Sequence, residues 1–249
     1  TVDWPIGVAG AALYETQSSD ATSTAPITAD PGVVDPPLVL PVPAYLAGAQ
    51  PEIWIAATGP AESYGGCDAY LSADGITYTW VGHLEGRSKV GVLAADLLTG
   101  SELDDTHTLE VDLAQSRGVL TGTTDEGRDA LETLCWVDGE VLAFRDVTPG
   151  TDAFTWNLDS LRRGAYGTTI AQHDAGSSFV RLDSSVLRVP LSATMFGVPL
   201  YVKLIPANVN GAGAPLITAV QAHTATVTLQ VVAPATGCTL GVTSSAPAE

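Results

Sequence analysis

Positive charge is what this sequence has least of. Lys and Arg number ten among 249 residues, against 28 Asp and Glu, for a formal net charge of −18. A protein that neutralises phosphates needs a basic patch, so nucleic acid is disfavoured as a partner, and anionic membrane surfaces are disfavoured for the same reason. Charge of either sign is scarce: 15% of residues are charged, where soluble domains usually carry about 25%. Surface polarity therefore falls to Thr, Ser, Asn, Gln and Gly, a composition that suits β-rich proteins. Cysteine is limited to Cys67, Cys135 and Cys238, with no CxxC and no Cys/His spacing for zinc. They read as buried free thiols; an oxidising compartment would instead allow one disulfide and one leftover thiol. No apolar run reaches the roughly 18 residues of a spanning helix, so no membrane insertion is expected. The opening TVDWPIG lacks Met and a charged-then-apolar leader. The closing VTSSAPAE has linker composition, and the chain is read as a piece of a longer polypeptide.

What is present is apolar material, 45% of residues, enough for a sizeable core. Residues 1–43 stand apart as a Pro-rich extended arm with seven of the sixteen prolines, and DPGVVDPPLVLPVP can form neither a helix nor a central strand. Its apolar residues (Trp4, Ile6, Val33, Val34, Leu38, Val39, Leu40) must bury against its own domain or a neighbouring subunit. Beyond residue 50 the hydrophobic period is two. EIWIAAT (52–58) reads as a strand, and 68–82 as a hairpin turning at Ser72-Ala73-Asp74-Gly75, with Ile76, Tyr78 and Trp80 alternating with Thr77, Thr79 and Val81. HTLEVDL (107–113) places His107, Leu109, Val111 and Leu113 on one face. Thr124 caps one short helix over 124–134, with Asp125 and Glu126 at its positive end and Ala130, Leu131 and Leu134 on its apolar side. In LCWVDGEVLAF (134–144), Asp138-Gly139 is the preferred centre of a type I′ turn. AFTWNLD (153–159) sets Phe154, Trp156 and Leu158 on one face, and VLRVPL, PLYVKLI and TATVTLQVV complete the strands. The fold class is mostly β, with antiparallel sandwich or barrel-type domains. The expected divisions are the arm 1–43, a sandwich-like subdomain 44–104, a β-rich domain 105–233 and a linker-like tail 234–249.

Chemistry is hard to find. His173-Asp174 is the one pair resembling an oriented base, but neighbours on a strand point opposite ways and no nucleophile elbow lies near. The His173 ring is expected to bond a backbone carbonyl in a turn. Glu140, Asp146, Asp152, Asp159 and Asp183 are available for a glycosidase pair, yet spacing selects none. ADG and DDTH are oxygen-rich without forming a calcium loop, and RRGAYGT is no P-loop. No catalytic residue, metal ligand or cofactor is assigned. Trp54, Tyr64, Tyr70, Tyr78 and Trp80 cluster in sequence, and Trp54, Tyr64, Tyr70 and Trp80 are candidates for glycan contact. The competing reading is that they fill the buried face of a sheet.

The stretch 160–183, SLRRGAYGTTIAQHDAGSSFVRLD, gathers Arg162, Arg163 and Arg181 from a chain poor in cations. Leu161, Arg163, Gly164, Gly167 and Thr168, then His173, Gly176 and Asp183, resemble the signature of tail hub proteins of long-tailed phages and gene transfer agents. VDGEVLAF (137–144) with Gly139 and Glu140, LDSL (158–161), the hairpin at 64–82 and HTLEVDL followed by GVLTGT follow the same family's order, over residues 44–205. The residues themselves indicate a structural role. Gly164 and Gly167 suit tight turns, and the Arg163 fork suits several carbonyls or a carboxylate such as Glu140 or Asp183. The resemblance implies a homotrimeric virion component at the tail tip, contacting tail-tip and tail-tube proteins and a host-surface glycan or receptor, and acting without turnover. The alternative is a carbohydrate-binding module of a secreted or surface protein.

Overall fold

The computed structural model describes residues 29–43, 46–47, 50–211 and 215–227. The Trp4 and Ile6 end of the arm, Cys238, most of TATVTLQVV and the tail 234–249 lie outside them. The chain is mostly β, and every strand pairing is antiparallel.

Three layers stack. The outermost is a four-stranded sheet in the order β14 (Ala222–Thr226), β13 (Pro199–Asn208), β3 (Tyr64–Ser72), β4 (Thr79–Glu85). The middle layer is β1 (Leu38–Pro41), β2 (Glu52–Ala56) and β12 (Leu187–Pro190), with β2 central. The third is a closed barrel of β5 (Val90–Leu93), β7 (Leu109–Asp112), β8 (Cys135–Val137), β9 (Glu140–Pro149), β10 (Thr155–Arg162) and β11 (Ser178–Arg181). Pairing of β10 with β9 closes it, and the two-residue strand β6 (Leu103–Asp104) pairs with the end of β10 at Leu161 and Arg162.

The period of two explains how EIWIA can sit between two layers. Ile53 and Ile55 face the four-stranded sheet, packing with Cys67, Ala69, Leu84, Val202 and Leu204. Trp54 and Ala56 point the other way, onto the barrel's outer wall at Val90, Val141, Val180 and Leu182. Inside the barrel, Leu93, Leu109, Val111, Leu113, Val137, Leu142, Phe144, Leu158, Leu161 and Phe179 fill the space, as side chains do in small barrels. The arm's described end is therefore an edge strand on its own chain: Leu38 to Pro41 pair with Ala56 to Ile53.

Several expected boundaries move, each for a local reason. The division at residue 104 is crossed both ways: β5 joins the barrel, while β13 pairs with β3 across more than a hundred residues. Strand β4 starts at Thr79, because Asp74 Oδ1 takes the amides of Ile76 and Thr77 (2.8 and 2.7 Å) away from any ladder. Ile76 is left 83% exposed. His107 precedes β7 and bonds Asp104, so it is off the expected face. Phe154 lies before β10 at φ 68 and is partly exposed. The helix α1 covers only Asp125–Asp129, capped by Thr124 as expected. It ends in a Schellman closure, Glu132 N to Gly127 O and Leu131 N to Arg128 O, with Leu131 rather than glycine at positive φ. Leu131 and Leu134 then pack on the barrel's outer wall, which offsets the strain. The turn at Asp138-Gly139 has positive φ at both residues, and Val137 pairs with Glu140, as a type I′ hairpin requires.

Candidate functional site: a sealed clamp at the barrel end

Placement of Arg163 begins with a kink. Along β10 a strict alternation would put Leu158, Ser160 and Arg162 on the inner face. Ser160 instead has φ 54, and both Leu158 and Leu161 face the barrel interior. The changed parity sends Arg162 outward to Glu102 Oε1 at 2.7 Å and Arg163 inward. Gly164 follows at φ 65, where an added Cβ would lie 2.8 Å from Ile170 Cγ1. Tyr166 and Gly167 also have positive φ, so the chain doubles back within five residues. Thr168 fixes the loop by accepting from Val141 N (3.0 Å) and donating to Ala165 O (2.9 Å).

Glu140 enters from the other side of the hairpin turn. Its Oε1 accepts from Arg163 Nε (2.7 Å) and Gly164 N (3.1 Å). Its Oε2 accepts from Arg163 Nη2 (2.8 Å), His173 Nε2 (2.9 Å) and Ala171 N (3.3 Å). A carboxylate has about four lone-pair sites, so this one is saturated. Arg163 also donates to Leu98 O at 3.1 Å and Ala171 O at 2.7 Å, and its Nη1 lies 3.6 Å from Asp104 Oδ2. Asp104, itself buried, is held by Thr106 and His107. Burial pushes the Glu140 carboxyl up, but the hydrogen bonds of Arg163 and His173 outweigh it and hold the group at about 2. Asp104 is likewise lowered: burial opposes, and the bonds from His107 and Thr106 prevail.

The signature residues thus separate into two groups. Gly139, Glu140, Arg163, Gly164, Gly167, Thr168 and His173 meet at one end of the barrel. Gly176 turns at φ 87 beside Leu93, to whose carbonyl its amide bonds. Asp183 lies elsewhere, on Lys89 Nζ (2.8 Å) and Ser185, so of the two carboxylates expected for Arg163 it is Glu140 that binds it, with Asp104 as a second, longer ion pair. The His173 ring bonds that carboxylate rather than a backbone carbonyl; its backbone makes the bridge, exchanging both hydrogen bonds with Leu97. Asp174 takes Gln172 Nε2 and not the imidazole. Asp104 and His107 are the members that sequence reasoning passed over. DDTH drew notice for its oxygens, whereas its Asp-x-x-His spacing folds into a turn that Asp104 caps. Arg181, the third cation of the stretch, binds the carbonyls of Glu132 and Leu134.

Chemically the clamp is occupied by itself. The side chains of Arg163 and Glu140 are both 0% exposed, so no solute reaches them without unfolding. What it does is join β9, the end of β10 and the loops at 97–104 and 171–173. Of the other carboxylates considered for hydrolysis, Asp146 pairs with Arg145, Asp159 accepts from Thr108, and Asp152 is exposed. The glycan candidates divide: Trp54 and Tyr64 are buried at 2%, Tyr70 is half-buried, and Trp80 is 56% exposed. Trp54 lies under Arg188, 4.2 Å from its ring centre, and belongs to the interlayer core.

No curated protein matches the chain. Residues 88–180, which span the barrel from just before β5 through β11 and hold the whole Arg163 clamp, match the family model described as "Rcc01698-like, C-terminal".

Proposed function

We propose that this chain is part of the hub at the tail tip of a phage or phage-like particle, a gene transfer agent included, assembling as a homotrimer and supporting attachment without turnover. The observation that carries the reading is the coincidence of three things in one place. The part of the hub-like signature from Gly139 to Gly176, the family-model match at 88–180 and the self-saturated clamp all fall on the barrel. A buried Arg with every donor directed at protein acceptors suits a rigid assembly module better than an enzyme, whose groups must face substrate. A net charge of −18 suits a surface past which DNA moves, since like charge prevents adhesion. Burial of Trp54 and Tyr64 weakens the alternative in which the whole aromatic cluster serves a free-standing sugar-binding module.

Two measurements test this. Light scattering should give three times the protomer mass, both for the full 25.6 kDa chain and for one without residues 1–28, a truncation that spares β1. Gold labelling of a tagged copy in intact particles should mark the tail's distal end; label on the capsid or absence from particles would overturn the reading.

A further inference from the structure

We propose that the outward face of the four-stranded sheet is a binding platform for a neutral hexopyranose chain. This goes beyond the hub reading and does not depend on it. One face of the sheet is core, with Cys67, Ala69, Leu71, Leu200, Val202 and Leu204 packed inward. Alternation therefore turns Asp68, Tyr70, Tyr201 and Lys203 toward solvent. Tyr70 sits in register with Trp80 on one side and Lys203 on the other, and Tyr78 extends the row, its ring centre 4.9 Å from Lys203 Nζ.

Three features separate this face from an ordinary exposed aromatic. First, the Trp80 ring is exposed yet pinned, its Nε1–H donating to Asp68 Oδ1 at 3.1 Å. Holding the ring in advance lowers the entropy cost of binding. Second, His83 Nδ1 meets the same oxygen at 3.0 Å, and both side chains are about two-fifths exposed (41% and 42%). That leaves Asp68 Oδ2 and His83 Nε2 without a hydrogen bond among the described residues, beside the ring edge. Third, Lys203 is tied to Ile217 O at 2.9 Å, which holds its ammonium beside the Tyr78 ring.

A hexopyranose has matching chemistry. Its C–H face carries partial positive charge and packs on the electron-rich face of an aromatic ring. Its equatorial hydroxyls, at the rim, can donate to a carboxylate and pair with an imidazole nitrogen. Charge selects among glycans: Asp68 on β3 and the exposed Glu85 at the end of β4 outnumber Lys203 on this face, and with the net charge of −18 they repel uronate or sulfated chains. A protein partner would need about 800 Å² of complementary surface. Here the aromatic row is narrow and flanked by charged groups, a size suited to a few sugar rings.

The experiment is electrophoresis of the full chain through native gels cast with neutral polysaccharides (hydroxyethyl cellulose, laminarin, galactomannan, dextran) or with alginate. Retardation is expected with at least one neutral polymer and not with alginate. Trp80→Ala should weaken it at least tenfold and Asp68→Asn severalfold, while Trp80→Phe keeps most of it. Since Trp80 is outside every core cluster, its variants should melt like the parent, which separates lost binding from lost fold. The proposal is overturned if no neutral polymer retards the chain, if alginate alone does, or if Trp80→Ala is retarded as strongly as the parent. A fall in oligomeric mass in Trp80→Ala with unchanged retardation would assign the face to contacts between copies and overturn it equally.

Discussion

Arg163 and Glu140, 23 positions apart, meet through two parallel hydrogen bonds, Nε to Oε1 at 2.7 Å and Nη2 to Oε2 at 2.8 Å, with both side chains fully buried. The pair ties the start of β9 to the loop after β10, and every remaining acceptor site of the carboxylate is taken by that loop.

Breaking the pair from one side leaves a buried charge unmatched. Glu140→Gln should therefore cost about 3–5 kcal/mol, read as a lower urea midpoint, whereas Asp152→Asn on the surface should stay within about 0.5 kcal/mol. Arg163→Lys keeps the charge but not the fork and should also be clearly destabilised.

Acid should act through the same carboxylate. Glu140 is held at about 2 when folded, below its ordinary 4.5, so its stabilisation is complete above pH 4.5 and is lost as pH falls from there toward 2. Asp104 and Asp183, also lowered, add to the same trend. Urea midpoints at pH 7, 4.5 and 3 should drop steeply in the parent and more shallowly in Glu140→Gln, because the variant has lost this titration.

The described cysteines should be inert. Burial pushes the Cys135 thiol up to about 12 and the Cys67 thiol to about 11, so neither forms thiolate near neutrality. In a Cys238→Ser background, a chromogenic disulfide reagent at pH 8 should find no thiol in the native protein and two in urea.

Backbone geometry gives an ordered pair of glycine variants. Gly164→Ala meets a positive φ and Ile170 Cγ1 at 2.8 Å, while at Gly139 an added Cβ has nothing within 4 Å. Both pay for the left-handed conformation, about 1–2 kcal/mol, but Gly164→Ala should melt lower than Gly139→Ala.

Ser160 offers a test of the kink. Ser160→Gly should be tolerated at φ 54, whereas Ser160→Val, with its branched side chain, should cost more than about 1 kcal/mol. Loss of amide exchange protection at Ala171, which bonds Glu140, should accompany the Val variant.

The strand-rich class, the Asp138-Gly139 hairpin and the Thr124 cap were legible because each rests on local preference, and for Arg163 the choice was narrowed to carbonyls or a carboxylate, Glu140 or Asp183, of which the fold uses Glu140. A two-residue turn needs positive φ, a helix start needs a side-chain acceptor, and a buried cation needs a carboxylate. The errors came where one side chain outbid the pattern. Asp74 captured two amides and shortened β4, Asp104 drew His107 off its strand, and the Glu140 carboxylate attracted the His173 ring.

The sequence by itself determined that the chain forms antiparallel sheets, carries a strong net negative charge and anchors a Gly-rich Arg loop, because alternation, composition and turn chemistry are properties of the residues themselves and their neighbours. Only the tertiary structure decided that β2 serves two cores, that β10 and β9 close a barrel, and that Ser160 turns Arg163 inward toward Asp104 and His173. It also decided which aromatics are buried and which stand on the outer sheet. Those outcomes depend on partners up to more than a hundred residues away, and no periodicity in a single strand encodes them.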